Sequence, residues 1–407
     1  MPRPSGSADR SLLTLVLDVS PSSWGERDLK RTANDKSRAA AGKRSVGPAR
    51  LDDVLGATLG FCLTFAALAR ENSVVVVGAA DGEVAVLYPR KGGRGDLAGV
   101  VHDPPDAAGG KVDAGLMNEA VRLGVAELVA RAAARADAAV VTAEAEEGAQ
   151  TSNANGKKPI APPSPGAAVA SALTVALCIV NRFMVAAGRG VSALADQPGG
   201  GDAQARAEEG GVLAMLNSTE RGSGGGRKGG SRDRGRAAGG GGDVPSPRIL
   251  VVQASEDRPG DYNAFMNGTF AAAKAGVVID GCFIPSGIPQ QSAKSPYLEQ
   301  ACDRTGGIFL APSGAAQVGG ALTEVLISVF LSPVSVRAVL NLPTLTDVDF
   351  RPRCFETGEL VDVAHVCNQC LSIFKKLPNE TCATCGARIV SSRDAKGSPG
   401  AKRAKTR

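Results

Sequence analysis

Residues 11–19 (SLLTLVLDV) and 248–252 (RILVV) are dense apolar runs of strand length with almost no polar alternation. A strand written this way has to be covered on both faces, the condition of a mostly parallel sheet layered between helices. The chain between and after these runs supports that architecture. Residues 51–70, 112–136 and 169–183 read as helices, the first and third apolar around most of their surface. Residues 73–77 and 83–88 flank Asp81-Gly82, a favoured hairpin turn pair, and predict one antiparallel strand at the sheet edge. Beyond 252, helices at 262–274, 296–303 and 315–331 alternate with strands at 277–284 and 308–310. Strand and helix in alternation give an α/β fold with helices on both faces.

Composition then divides the chain. A hydrophobic content of 43% suffices for a real core, while 51 Gly and 24 Pro exceed what packed elements use. The excess falls in flexible insertions expected near 25–50, 144–165 and 196–243, the last with sixteen glycines. Such stretches bury too little apolar surface to offset the entropy of ordering. The expected organisation is therefore a sheet domain over 1–340, a small cysteine-bearing unit over 350–390 and a disordered basic tail over 391–407. The tail from Arg393 carries six basic side chains and one acid, which equals the net charge of +5 for the whole chain. The body is thus neutral on balance, and the tail reads as an import signal, a phosphate-contacting arm or a solvated end. Polar residues 1–10 predict a protein that is not secreted, and the apolar stretch 167–180 is too short to cross a bilayer. Three Asn-x-Thr/Ser sequons, at Asn217, Asn267 and Asn379, and the triplet Arg94-Gly95-Asp96 consequently read as chance.

Cys367-x-x-Cys370 and Cys382-x-x-Cys385 are two knuckles separated by eleven residues. Four thiolates so spaced can close tetrahedrally on one zinc ion, each knuckle gripping it from a tight turn. Two disulfides or four inert thiols are the alternatives, and the expected non-secreted setting argues against the first. With all four positions filled by protein, the zinc is expected to be structural, leaving no open position for a substrate. His365 lies close enough to substitute for a ligand of an already complete set, and Cys354 reads as a buried thiol. The only other histidine, His102, stands in an apparent loop without a nucleophile, so histidine-dependent catalysis is nearly excluded. No phosphate-binding glycine motif follows the first strand. Asp18-Val19-Ser20-Pro21-Ser22 at the carboxyl end of that strand presents oxygen ligands suited to Mg²⁺. A working site there would need further ligands, with Ser171 and either Glu256 or Asp257 as candidates; a helix-capping turn is the plainer reading.

An aspartate-terminated first strand, an edge hairpin and this element order resemble a von Willebrand factor A domain. The resemblance sharpens on Trp24-Gly25, Leu87-Tyr88-Pro89, Ala176-Leu177-Cys178, Arg248 to Val252, Glu256-Asp257 and Phe265-Met266-Asn267. It continues through Gln300-Ala301-Cys302-Asp303, Thr305-Gly306-Gly307 and the run from Val366 to Phe374. Together with the cysteine finger, these motifs resemble the smaller von Willebrand A-type subunits of the general transcription and DNA-repair factor TFIIH. The resemblance covers both ordered units and leaves out the glycine-rich insertions and the tail. It implies a nuclear, non-catalytic subunit that docks the larger A-type subunit. The complex would serve RNA polymerase II initiation and nucleotide excision repair. A nucleic-acid-binding zinc-finger protein is the rival reading. Only Lys375 and Lys376 supply positive charge between the knuckles, and Phe374 is the one aromatic there, fewer than base readers usually present.

Overall fold

The computed structural model describes residues 11–39, 49–69, 72–90, 112–149, 167–186, 246–286, 294–343 and most of 348–388. Strands β1 (Ser11–Asp18), β2 (Ser73–Ala80), β3 (Glu83–Tyr88), β4 (Ser246–Gln253), β5 (Val278–Phe283) and β6 (Phe309–Leu310) form one sheet in the order β3-β2-β1-β4-β5-β6. All neighbours are parallel except β3, which pairs antiparallel with β2 through the Asp81-Gly82 turn, where Gly82 adopts φ 70°. The sheet is therefore the mixed, mostly parallel one that the apolar runs predict, with its antiparallel strand at the edge.

Alternate residues of β1 feed two separate cores. Leu13, Leu15, Leu17 and Val19 face α2 (Leu51–Leu68), α3 (Ala114–Ala149) and α7 (Gly319–Phe330). Leu12 and Val16 face α4 (Val169–Ala186), α5 (Tyr262–Lys274) and α6 (Pro296–Thr305). Each fully buried Leu or Val contributes about 1.5–3 kcal/mol relative to exposure, so a strand buried on both sides is among the most stabilising elements per residue. Helix α2 is long and apolar enough to cross a membrane by length and composition, yet it packs along α7 and the sheet as a core helix.

Two arginines, Arg248 buried and Arg337 half-buried, fix the sheet's amino-terminal side. Arg248 on β4 donates to the carbonyls of Phe330, Leu331 and Ser332 at 2.6, 2.9 and 3.0 Å. These are carbonyls that the end of α7 leaves without intrahelical partners. Its guanidinium also lies 5.0 Å over the Phe65 ring. Burial lowers its pKa to about 10, so it remains charged at neutrality. Arg337, in the short 3-10 helix Val334–Val339, forks onto both oxygens of buried Asp280 at 2.7 and 2.6 Å. Asp280 also accepts the Ile308 amide at 2.9 Å.

One region departs from expectation. The segment from Pro21 to Ala39 is a helix, α1, where composition predicts the start of a flexible insertion near 25–50. Proline opens its first turn, and Trp24 and Arg27, three apart, share one face that is buried. The Trp24 indole N–H donates to Asp18 O at 2.9 Å. Arg27 donates to the carbonyls of Ala254 and Ile284 and lies 5.0 Å over the Trp24 ring. The first turns of α1 are thus held by the strand ends rather than by their own composition. Helix α3 likewise runs to Ala149, into the start of the expected insertion at 144–165. Residues 40–48, 150–165, 196–243 and the tail 391–407 lie outside the described residues, while Ala49 is buried in the core.

Candidate metal centre

The cysteine cluster is built from two copies of one turn. A two-stranded ladder, β7 (His365–Val366) with β8 (Ile373–Phe374), brackets the first knuckle. Cys367 N donates to Ser372 O and Leu371 N to Cys367 O, both at 2.9 Å. The second knuckle repeats the pattern, with Cys382 N to Ala387 O and Gly386 N to Cys382 O, both at 2.8 Å. In each, the residue after the second cysteine is left-handed: Leu371 at φ 60° and Gly386 at φ 70°. Leucine is costly there, about 1 kcal/mol or more for a non-glycine residue. Turns of this shape aim both sulfurs of a knuckle to the same side.

The four Sγ atoms lie within 4.8 Å of one another, with Cys367 to Cys385 at 3.8 Å and Cys370 to Cys382 at 3.6 Å. A tetrahedral zinc–thiolate site with bonds near 2.3 Å has sulfur–sulfur edges of about 3.8 Å. The donor set therefore fits a tetrahedral metal ion. Electrostatics agree. The Ser372 hydroxyl, 3.1 Å away, and its amide hold the Cys370 thiol down to about 6, a thiolate at neutrality. At Cys385 the Ala387 amide favours ionisation, but the neighbouring Cys370, Cys382 and Cys367 sulfurs push the thiol up to about 12. Negative charge packed so closely requires a cation before all four can ionise. Beneath the knuckles the apolar core is small, with Phe374 buried and Phe355 and Ala387 beside it. A unit of this size rarely folds on such a core alone.

His365 is exposed on β7 and is not among the converging groups. Cys354 is buried outside the tetrad, where the Lys375 amide approaches its sulfur at 3.3 Å. Burial there opposes ionisation, but hydrogen bonds from Thr357 and from the Lys375, Thr357 and Glu356 amides outweigh it and lower the thiol's pKa. Cys62 and Cys282 are core thiols, pushed up to about 12 by burial.

The edge at the carboxyl ends of β1 and β4 is tied together by hydrogen bonds. Asp18 is spent on amides: Ser20 N at 3.0 Å, Ala254 N at 2.9 Å and Ser255 N at 2.6 Å. Asp81 accepts from both the Ser20 and Ser22 hydroxyls and from Ser22 N, the last two at 2.9 Å. Asp257 turns to the start of α6, accepting Ser295 Oγ at 2.7 Å, Tyr297 N at 2.9 Å and Gln253 Nε2 at 2.9 Å. Ser171 is exposed on α4. Asp257 and Ser171 thus do not join Asp18, Ser20 and Ser22, whose oxygens are held by hydrogen bonds within the protein. The edge is a hydrogen-bonded lock. Asp81 is its unforeseen member, read in sequence only as a turn residue. The parallel register that puts Asp18 opposite Ala79 is the signal that places it there.

A mixed, mostly parallel α/β sheet followed by a four-cysteine cluster able to hold a metal ion defines the class of this protein. The chain belongs to the transcription factor Tfb4 family, whose family model matches residues 10–386. Among curated relatives, the general transcription and DNA repair factor IIH subunit TFB4 of Arabidopsis thaliana is 39% identical over 143 residues, covering 35% of this chain and 44% of that one. General transcription factor IIH subunit 3 of Dictyostelium discoideum is 36% identical over 143 residues, 35% of this chain and 36% of its own. These matches span less than half the length of those relatives. The solved TFIIH p34 N-terminal domain aligns with 78% of this chain and 96% of its own, at 17% identity and a TM-score of 0.40.

Proposed function

We propose that this chain is a non-catalytic structural subunit of the TFIIH core complex. It acts in the nucleus, in RNA polymerase II transcription initiation and nucleotide excision repair. The observation that carries the reading is the extent of the family match, which spans both the sheet and the cysteine cluster. The sheet domain, about 1–340, would present helix faces and strand-end loops to partner subunits, chief among them the larger A-type subunit. The finger, about 350–390, would add a second contact. Zinc held by Cys367, Cys370, Cys382 and Cys385 would supply the folding energy that the small finger core lacks, on the order of 10–16 kcal/mol for such ions.

The chemistry of the described residues supports a scaffold rather than an enzyme. The thiolates form a saturated set, and the carboxylates at the sheet edge accept hydrogen bonds from amides and hydroxyls. Pull-down with the recombinant larger A-type subunit tests the docking. Stoichiometric recovery with the native chain, and reduced recovery with Cys370→Ser, is expected. Undiminished binding of a zinc-free variant would remove the finger from the interface.

A further inference from the structure

In each knuckle the first cysteine is buried and the second is the more open to solvent. Cys367 and Cys382 are buried, Cys370 is half-buried, and Cys385 is exposed together with Ala383, Thr384 and Gly386. The turn explains the asymmetry. The amide and carbonyl of each first cysteine both bond within the turn, which seats that residue beside Phe374 in the small core. The short sulfur contacts then run crosswise between the knuckles. Outward Cys385 lies 3.8 Å from buried Cys367, and Cys370 lies 3.6 Å from buried Cys382. The Ser372 hydroxyl, 3.1 Å from the Cys370 sulfur, occupies one side of it. Cys385 is therefore the sulfur of the tetrad that a small oxidant meets first.

We propose that Cys385 is a site of modification by hydrogen peroxide, and that Cys367 of the other knuckle resolves it into a disulfide that opens the finger. The step rests on the zinc reading given above. Holding the ion requires all four sulfurs deprotonated, and a thiolate is the form that attacks peroxide, so access decides which sulfur reacts. The Cys385 thiolate attacks one peroxide oxygen. An S–O bond forms, the O–O bond breaks and hydroxide leaves, giving the sulfenic acid. The Cys367 thiolate then attacks the Cys385 sulfur, an S–S bond forms, the S–O bond breaks and a second hydroxide leaves. Each sulfur loses one electron, and one peroxide is reduced to two hydroxides, which take up protons as water. Two of the four ligands are thereby withdrawn, and a core as small as that around Phe374 does not hold the finger closed alone.

The experiment treats the full zinc-loaded chain with hydrogen peroxide and quenches with catalase. Zinc release is followed with a chromophoric chelator, and disulfides are mapped by tandem mass spectrometry. Zinc should fall from one equivalent to none as a Cys367–Cys385 linkage appears. Cys385→His keeps a zinc ligand at that position but removes the sulfur, and it should retain its zinc through the same dose. Cys370→His, which leaves the reacting pair in place, should lose zinc as the native chain does. Cys178, exposed on α4 and outside the cluster, is the reference thiol whose oxidation shows that the dose was effective. Zinc retained by the native chain at a dose that oxidises Cys178 would overturn the assignment. So would a disulfide within one knuckle or between two chains, or equal release from Cys385→His. An untreated chain that holds no zinc would instead overturn the metal reading itself, before any peroxide is added.

Discussion

Removing the Asp18 carboxylate strands three amide donors at the sheet edge, those of Ser20, Ala254 and Ser255. Each unsatisfied buried donor costs about 1–3 kcal/mol, so Asp18→Ala should destabilise the domain by about 3–5 kcal/mol in urea unfolding. Because the edge is closed by hydrogen bonds, the native melting temperature should be the same with Mg²⁺ or with EDTA once zinc is accounted for. A Mg²⁺-dependent shift that disappears in Asp18→Ala would restore the metal site instead. Arg27 behaves similarly at residue scale. Desolvation by burial lowers its pKa to about 10 against the favourable field of Asp18, so it stays protonated while bridging the Ala254 and Ile284 carbonyls.

Among the elements, close approach between β5, α6 and the turn after α6 gives the sharpest contrast. Gly306 ends α6 in the left-handed conformation at φ 71°, and Gly307 then passes against β5. A Cβ on Gly307 would sit 1.9 Å from the Ile279 carbonyl oxygen, a backbone atom that cannot swing away. On Gly281 it would meet Leu298 Cγ at 2.6 Å and Cys302 Sγ at 2.9 Å, side chains able to shift in part. Gly281→Ala should therefore cost about 1–3 kcal/mol, typical of overpacking, and Gly307→Ala distinctly more. Urea midpoints of the two variants decide the order. Elements are also where legibility differed. The strands β1 and β4 announce themselves through apolar runs, and α2 and α4 through longer apolar stretches, because local composition and burial agree there. Helix α1 does not, since Arg27 finds partners only where β4 and β5 end nearby, 227 and 257 residues along the chain. Asp81 escaped for the same reason, whereas the cysteine tetrad was readable because each knuckle encodes its own turn.

At the scale of the molecule, the finger's folding is expected to be a metal event. Cys370→Ser should drop bound zinc from one equivalent to none by atomic emission and unfold residues around the knuckles by proton exchange. Acid should do the same. The Cys370 thiol is lowered from 9.0 to about 6, so its contribution is fully present above the ordinary thiol range and fades as pH falls through about 6. Zinc release monitored with a chromophoric chelator should rise as the medium is acidified, because each ligand sulfur must be deprotonated to hold the ion. The sheet domain, with no zinc-holding thiol among its described cysteines, should keep its own unfolding transition throughout. Membership in the larger assembly remains the central claim. The direct test is to isolate the tagged chain from nuclear extract of its own cells and identify its companions by mass. Recovery with the other TFIIH core subunits, at near-equal amounts and retained at moderate salt, is the predicted result. A chain recovered alone, or with an unrelated set of partners, would contradict it.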